Sequence, residues 1–273
     1  MESILARALG APLQPVALLF SDDKPEGAMQ FVEGRWGCVM WLLASAARGR
    51  TAVADRSTFG CLGGGTGLGF GDAYLQWPGG KECFFHFLST GNEGWEHGRA
   101  VAEEVRPQLR PEAFEHFMHG ERYVKTPELA RRFVEDLPIV EVPARYVVFR
   151  PLADLADDEE PEIVIFVVDP DCLSALTVLA NYGREGNENV IIPYAAGCQT
   201  IGLYAYREAR AQVPRAVVGL TDLSARLYAA KQLGRNLFTF AVPFRMFREL
   251  EANVPGSFLE RDTWAALRNA SSS

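Results

Sequence analysis

The chain has 273 residues, of which 48% are hydrophobic and 23% are charged. This composition is typical of a globular protein and excludes an intrinsically disordered chain. Acidic residues outnumber basic ones by 35 to 27, whereas nucleic-acid-binding domains usually display a basic surface. The longest apolar run, from Cys38 to Ala47, is too short to span a bilayer. We therefore expect neither nucleic acid nor a membrane as a partner.

The cysteines predict a reducing compartment. There are five of them, an odd number without close, paired spacing. The N-terminus also lacks the basic stretch and apolar core of a signal peptide. These features predict reduced thiols and a cytoplasmic location.

Hydrophobic periodicity, glycine and proline define the predicted elements. In chain order they are helix 3–10, strand 15–20, helix 38–48, strand 51–55, a glycine-rich loop 60–71, strand 81–88, helices 93–105, 111–119 and 127–136, strand 145–149, strand 163–168, helix 170–181, strand 190–193, helix 198–212, strand 216–220, helix 222–233, strand 238–242 and helix 244–253. Strands that alternate with helices predict an α/β fold with a mixed, largely parallel sheet flanked by helices. We expect one domain over residues 1–266 and a disordered tail over residues 267–273.

Two segments of the chain are similar to each other. Gly37-Cys38 begins a helix that leads to strand 51–55, and Gly197-Cys198 begins a helix that leads to strand 216–220. This weak similarity suggests an internal duplication, although a chance resemblance is an open alternative.

Three cysteines form the first candidate site. Cys38 and Cys198 are predicted in first helical turns, where free amide groups and the helix dipole stabilise a thiolate. Cys61 opens the glycine-rich loop. If the three thiols converge, they suit zinc with a free coordination position or an iron–sulfur cluster with one iron not held by cysteine. Buried packing residues, or reactive thiols without metal, are the alternatives.

A second set of residues could bind an anionic small molecule. Glycine lets a backbone approach a ligand closely, and ligands of open α/β sheets bind beyond the carboxyl ends of strands. Arg226 would hold the anionic group, while Asp222 has the alternative role of a helix cap. The predicted ligand-binding residues are Gly63, Gly64, Gly65, Thr221, Asp222 and Arg226.

Other cysteines and histidines are expected to be structural. Strand alternation would place Cys83 and His86 on opposite faces, so they would not chelate a metal. His116 and His119 are expected at the surface, and Cys172 in the packing of a helix.

Motifs spread over nearly the whole chain resemble one family. They are Cys38 with its helix, Cys61-Leu-Gly-Gly-Gly with Leu68-Gly69, residues 120–127 (GERYVKTP), Val142-Pro143, Pro151-Leu152, residues 180–182 (ANY), Gly197-Cys198-Gln199, residues 219–226 (GLTDLSAR) and Val242-Pro243. Together they resemble an uncharacterised bacterial and archaeal family, domain of unknown function 169. The resemblance implies one domain of conserved length and places Cys38, Cys61 and Cys198 in shared motifs. It implies no activity.

The sequence thus predicts a cysteine-ligated metal or iron–sulfur protein of unknown reaction, for which a redox or accessory enzyme is one option. The alternatives are a metal-free small-molecule binding module or sensor, and a structural subunit of a larger assembly. The sequence leaves open whether the protein is an enzyme and whether it forms oligomers.

Overall fold

A computed structural model, in which residues 1–270 are described, shows an α/β fold built on one eight-stranded mixed sheet. The strands are β1 (Val16–Ser21), β2 (Met29–Gln30), β3 (Ala52–Ala54), β4 (Tyr146–Pro151), β5 (Ile163–Val168), β6 (Val190–Ile191), β7 (Ala216–Gly219) and β8 (Phe238–Pro243). The helices are α1 (Ile4–Leu9), α2 (Val39–Ala47), α3 (Leu62–Gly67), α4 (Gly80–Leu88), α5 (Glu96–Val105), α6 (Pro111–His119), α7 (Pro127–Glu135), α8 (Pro170–Tyr182), α9 (Gly197–Gln199), α10 (Ala205–Ala209), α11 (Leu223–Leu233), α12 (Phe244–Ala252) and α13 (Asp262–Ala270). A π-helical turn, Thr200–Tyr204, joins α9 to α10.

The sheet has the strand order β2-β3-β4-β1-β5-β8-β7-β6. Only β2–β3 and β6–β7 pair in parallel, and the other neighbours are antiparallel. The prediction of a largely parallel sheet was therefore wrong. It assumed that strands separated by a helix become parallel neighbours, whereas β1 lies between β4 and β5 and is antiparallel to both.

The two halves of the sheet have the same topology. The order β2-β3-β4-β1 in the first half is matched by β6-β7-β8-β5 in the second, with the same strand directions at every step. The central pair, β1 and β5, is antiparallel. The register is also repeated, because Val16 at the start of β1 pairs with Pro151 at the end of β4, and Ile163 at the start of β5 pairs with Pro243 at the end of β8.

Helices cover both faces of the sheet. Successive side chains along each strand point to opposite faces of the sheet, and both faces are covered. On one face α2, α10 and α11 share a core with Leu18, Phe149 and Ile165. On the other face α1, α8, α12 and α13 share a core with Phe166 and Phe240. The fold therefore has three layers.

Contacts divide the chain into two units. The first consists of Met1–Phe70 and the chain from Val140 onward, and it contains the sheet. The second, Gly71–Ile139, consists of α4 to α7 and two short 3₁₀ turns, with a core around Cys83, Val101 and Phe117. The prediction of a single domain over residues 1–266 stays a prediction. Within residues 1–270, no helix has both the length and the apolar character needed to cross a bilayer.

Three local predictions differ from the structure. The predicted loop 60–71 contains the helix α3. The predicted strand 81–88 is the helix α4, because its buried residues (Cys83, Phe84, Phe85 and Leu88) follow a helical face rather than an alternating one. Helix α13 occupies residues 267–270 of the predicted tail, and residues 271–273 lie outside the described part of the chain.

Candidate functional site

The structure brings the three motif cysteines together. Cys38 is the N-cap of α2, Cys61 is the N-cap of α3, and Cys198 is the second residue of α9. The three thiols lie close enough for their charges to interact: Cys61 raises the pKa of Cys38, and both raise the pKa of Cys198. Segments far apart in the sequence therefore meet at one place, which we call the thiol cluster (Cys38, Cys61 and Cys198).

Two of the sulfurs are bound to the first turn of α3. The Cys61 Sγ accepts a hydrogen bond of 3.2 Å from the Gly64 N–H. The Cys198 thiol donates one of 3.1 Å to the Gly63 carbonyl oxygen. These two backbone groups belong to the same peptide unit and point in opposite directions. The two sulfurs thus lie at opposite edges of that unit. Within residues 1–270, no group of three or more cysteine, histidine, aspartate or glutamate side chains is arranged to hold a metal ion.

Glycine allows the close packing of α3 against α9 and the π-helical turn. A Cβ atom on Gly67 would lie 2.8 Å from the Cys198 Sγ, and one on Gly202 would lie 1.9 Å from the Gly67 carbonyl oxygen. Any larger residue would force the segments apart. Glycine disfavours a helix by about 1 kcal/mol per residue relative to alanine, so sequence propensity predicted a loop. The sequence analysis did not predict the contact between Gly67 and Gly202. The only signal for it in the sequence is the glycine at each of the two positions.

Burial keeps the thiols neutral. Desolvation raises the pKa of Cys38 to about 12, although a hydrogen bond from the Met40 backbone opposes the shift. Desolvation also raises the pKa of Cys61 and Cys198. The backbone amides at the helix starts lower the pKa of these thiols, in the direction that the sequence predicted, but burial raises it by more.

Asp222 lies beside the thiol cluster. It is the N-cap of α11, where its Oδ1 accepts a hydrogen bond of 2.6 Å from the Ala225 N–H. Its Oδ2 accepts another of 2.7 Å from the Gly197 N–H, one residue before Cys198. Burial raises the pKa of Asp222 despite these donors, and its charge raises the pKa of all three thiols. The capping role considered for Asp222 is confirmed.

Arg226 is engaged by the protein backbone. Its guanidinium donates to the carbonyl oxygens of Leu220 and Leu237, at 3.0 and 3.2 Å, and to that of Arg235. It also lies 5.2 Å from the centre of the Phe238 ring. These contacts tie the start of α11 to the segment before it and to the loop between α11 and β8. An anionic ligand of Arg226 stays a prediction.

The remaining residues of the predicted ligand site are divided between a helix and the surface. Gly63, Gly64 and Gly65 lie inside α3, and the last two are buried, while Thr221 is exposed. Two surface grooves of about 490 and 480 Å³ lie elsewhere, one lined by residues 11–15 and the other around Arg184.

A comparison with protein-family models gives a match over residues 4–253 to DUF169, described as uncharacterised ArCR. The chain belongs to the DUF169 family. Neither the curated proteins nor the solved structures contain a match to it. A function for this DUF169 protein therefore has to be argued from the site itself.

Two further cysteines of the DUF169 chain serve packing. Cys172 is buried, and its Sγ donates to the Leu9 carbonyl oxygen at 3.5 Å, which confirms its predicted role. Cys83 is buried in the core of the second unit. Because α4 is a helix, the predicted placement of Cys83 and His86 on opposite faces of a strand does not apply. The His86 ring stacks on the Trp95 ring, with ring centres 4.7 Å apart.

The histidine pair of the DUF169 chain lies at the surface, as predicted. His116 and His119 are both exposed. The ring nitrogens of His119 lie 3.3 Å from Glu93 and 3.4 Å from Glu115, so this ring lies between two surface carboxylates.

Proposed function

We propose that the thiol cluster binds an iron–sulfur cluster through Cys38, Cys61 and Cys198, and that the protein is an iron–sulfur protein with a redox or accessory role. The observation that carries the proposal is the meeting of three thiols from three separate segments. The other two cysteines, Cys83 and Cys172, lie in cores of their own. Thiolates are the usual ligands of iron–sulfur clusters.

The backbone contacts of Cys61 and Cys198 argue against a single zinc ion. Zinc holds each thiolate sulfur at about 2.3 Å, so its ligands must crowd around one point. Cys61 and Cys198 instead contact opposite edges of the Gly63–Gly64 peptide unit. In a cubane cluster each cysteine binds a different iron, and the ligand sulfurs are spread over the whole cluster.

Ligation would change the protonation of the site. Each cysteine ligand must lose its thiol proton to solvent, and the positive charge of iron compensates for the burial that otherwise keeps these thiols neutral. The hydrogen bond from Cys198 to the Gly63 carbonyl oxygen would be lost, so the first turn of α3 is the part of the site that must adjust.

Anaerobic reconstitution with ferrous iron and sulfide tests the proposal. We expect the full-length protein to gain visible absorption and stoichiometric iron and sulfide, and the variants Cys38→Ser, Cys61→Ser and Cys198→Ser to lose most of both. Cys83→Ser and Cys172→Ser are the matched controls and should reconstitute normally. A colourless protein without iron would overturn the proposal, as would a protein that takes up only zinc.

We also infer that the two halves of the sheet arose by duplication. The repeated strand order, the repeated proline register and the equivalent positions of Gly37-Cys38 and Gly197-Cys198 support this inference. The alternative function, a metal-free binding module for an anionic ligand, has weaker support because the Arg226 guanidinium already binds carbonyl oxygens. The cytoplasmic location remains a prediction.

A further inference from the structure

Helix α11 carries apolar side chains on two opposite faces. Ala225, Ala229 and Leu233 are buried in the core on one face of the sheet. Leu223 and Leu227 point outward instead, with 65% and 69% of their surface exposed. Because residues four apart lie on the same face of a helix, these two leucines form a continuous apolar row. An exposed row of this kind indicates a surface that another molecule covers.

Two aromatic residues extend this row toward the segment before α2. The rings of Tyr228 and Trp36 lie 4.8 Å apart, and 42% and 47% of their surfaces are exposed. The Trp41 indole N–H donates to the Tyr228 carbonyl oxygen at 2.9 Å, which ties α2 to α11 at this point. Large aromatic residues are enriched in protein–protein interfaces. We call Leu223, Leu227, Tyr228 and Trp36 the α11 face.

The two ends of α11 carry opposite charges. Asp222 caps its start, and Lys231 is exposed in its last turn. Lys231 lies one turn beyond Leu227, on the same outward row. A second α11 laid antiparallel on this row, with a two-fold axis at Leu227, brings each Lys231 to the Asp222 end of the other helix. Two-fold symmetry repeats this favourable pairing of charges at both ends of the contact.

We propose that the α11 face binds a second copy of this chain, and that the two α11 helices pack antiparallel in a two-fold dimer. Leu227 then packs at the axis, and the alkyl stem of each Lys231 covers the partner's Leu223. The interface adjoins the thiol cluster, because Trp36 lies two residues before Cys38. The inference goes beyond the proposed function and does not require iron.

Sedimentation velocity of the full-length protein under reducing conditions tests the proposal. We expect the wild type to dimerise, and Leu227→Glu to dimerise with a Kd at least about a hundredfold higher, because two buried leucines are lost per dimer. Val178→Glu is the matched control. Val178 is also an exposed apolar residue of a helix, at 51%, but α8 packs on the other face of the sheet. This variant should dimerise like the wild type.

Lys231→Glu tests the antiparallel arrangement. It brings a second carboxylate to the partner's Asp222 at both ends of the contact, so we expect a weaker dimer. Lys231→Arg keeps the charge and should dimerise normally. Circular dichroism checks that each variant is folded, as expected for changes at exposed positions.

Three results would overturn the proposal. The first is a wild type that stays monomeric at high micromolar concentration, and the second is a dimer that Leu227→Glu does not weaken. The third is a Lys231→Glu variant that dimerises as tightly as the wild type, which overturns the antiparallel arrangement. A monomer that co-sediments with phosphatidylglycerol vesicles, and no longer does so as Leu227→Glu, would assign the α11 face to a membrane surface instead of a second copy.

Discussion

The Cys198 thiol donates a hydrogen bond to the carbonyl oxygen of Gly63, although 135 residues separate them. This contact joins the first half of the sheet topology to the second and holds α3 against α9. The thiol cluster therefore depends on a helix contact that only small residues permit.

We predict that Gly202→Ala lowers the free energy of unfolding. The added Cβ would lie 1.9 Å from the Gly67 carbonyl oxygen, and such overpacking costs about 1–3 kcal/mol. Urea unfolding followed by circular dichroism measures the change. Gly94→Ala is the control, since a Cβ there meets nothing within 4 Å. Equal stability of the two variants would show that α3 and the π-helical turn do not pack as closely as described.

We predict that Cys38 reacts slowly with alkylating agents in the folded protein. Burial raises the pKa of Cys38 to about 12. On the order of one Cys38 thiol in ten thousand is therefore ionised at pH 8. Because the thiolate is the form that reacts, labelling should be slow. Mass spectrometry of iodoacetamide-treated protein should show labelling that rises about tenfold per pH unit between pH 8 and 10. In urea, all five cysteines should react quickly. Rapid labelling of Cys38 at pH 8 without denaturant would contradict the prediction.

We predict that Glu208 stabilises the fold only above acidic pH. Burial alone would raise the pKa of Glu208, but hydrogen bonds from Arg215 and Arg207, each at 2.9 Å at the closest nitrogen, outweigh it and lower the pKa. A lowered folded-state pKa gives stability that is present above the unfolded value, about 4.3, and is lost as the pH falls through the folded value.

The variant Glu208→Gln measures this contribution. We expect it to reduce the free energy of unfolding at pH 7 by about 1.5–3 kcal/mol, the range for hydrogen bonds to charged groups. The difference from wild type should shrink as the pH falls below the unfolded value and through the lowered folded-state pKa of Glu208, where the wild-type carboxyl also becomes neutral. A difference that stays constant over this range would exclude the charge as its cause.

We predict that Arg226→Lys destabilises the protein. Lysine keeps the charge but lacks the planar fork that contacts the carbonyl oxygens of Leu220 and Leu237. The expected loss is about 1–2 kcal/mol, seen as a lower Tm, and Lys231→Arg at an exposed position of α11 should have no effect. An unchanged Tm together with lost phosphate binding would instead favour the anion-binding role.

The sequence predicted best the elements whose signals are local. Strands β1, β5 and β8 are mostly apolar, and the observed strands begin and end within one residue of the predicted ones. The caps of α7 and α8 were also predictable, because Thr126-Pro127 and Asp169-Pro170 are strong helix-start signals.

Elements that depend on tertiary contacts were not predictable. Helix α3 exists because Gly67 and Gly202 let backbones approach, which no local propensity describes. The two-residue strand β2 is too short to give a pattern and is defined by its pairing with β3. Helix α13 is fixed by contacts from Trp264 to Ala8 and from Arg268 to Asp169. The convergence of Cys38, Cys61 and Cys198 was a hypothesis based on two predicted helix starts and a glycine-rich loop. The raised pKa of these thiols follows from burial, which only the structure shows.

The residues that precede and follow the segment Gly71–Ile139 lie next to each other. Phe70 forms an isolated antiparallel bridge with Glu141, and the Val142 N–H donates to the Gly69 carbonyl oxygen at 2.8 Å. The corresponding stretch of the second half contains only α11 between β7 and β8. An ancestral chain could therefore have acquired the helical segment by a single insertion between two residues that were already adjacent. Replacing the segment with a short glycine linker should leave a chain that still assembles the eight strands.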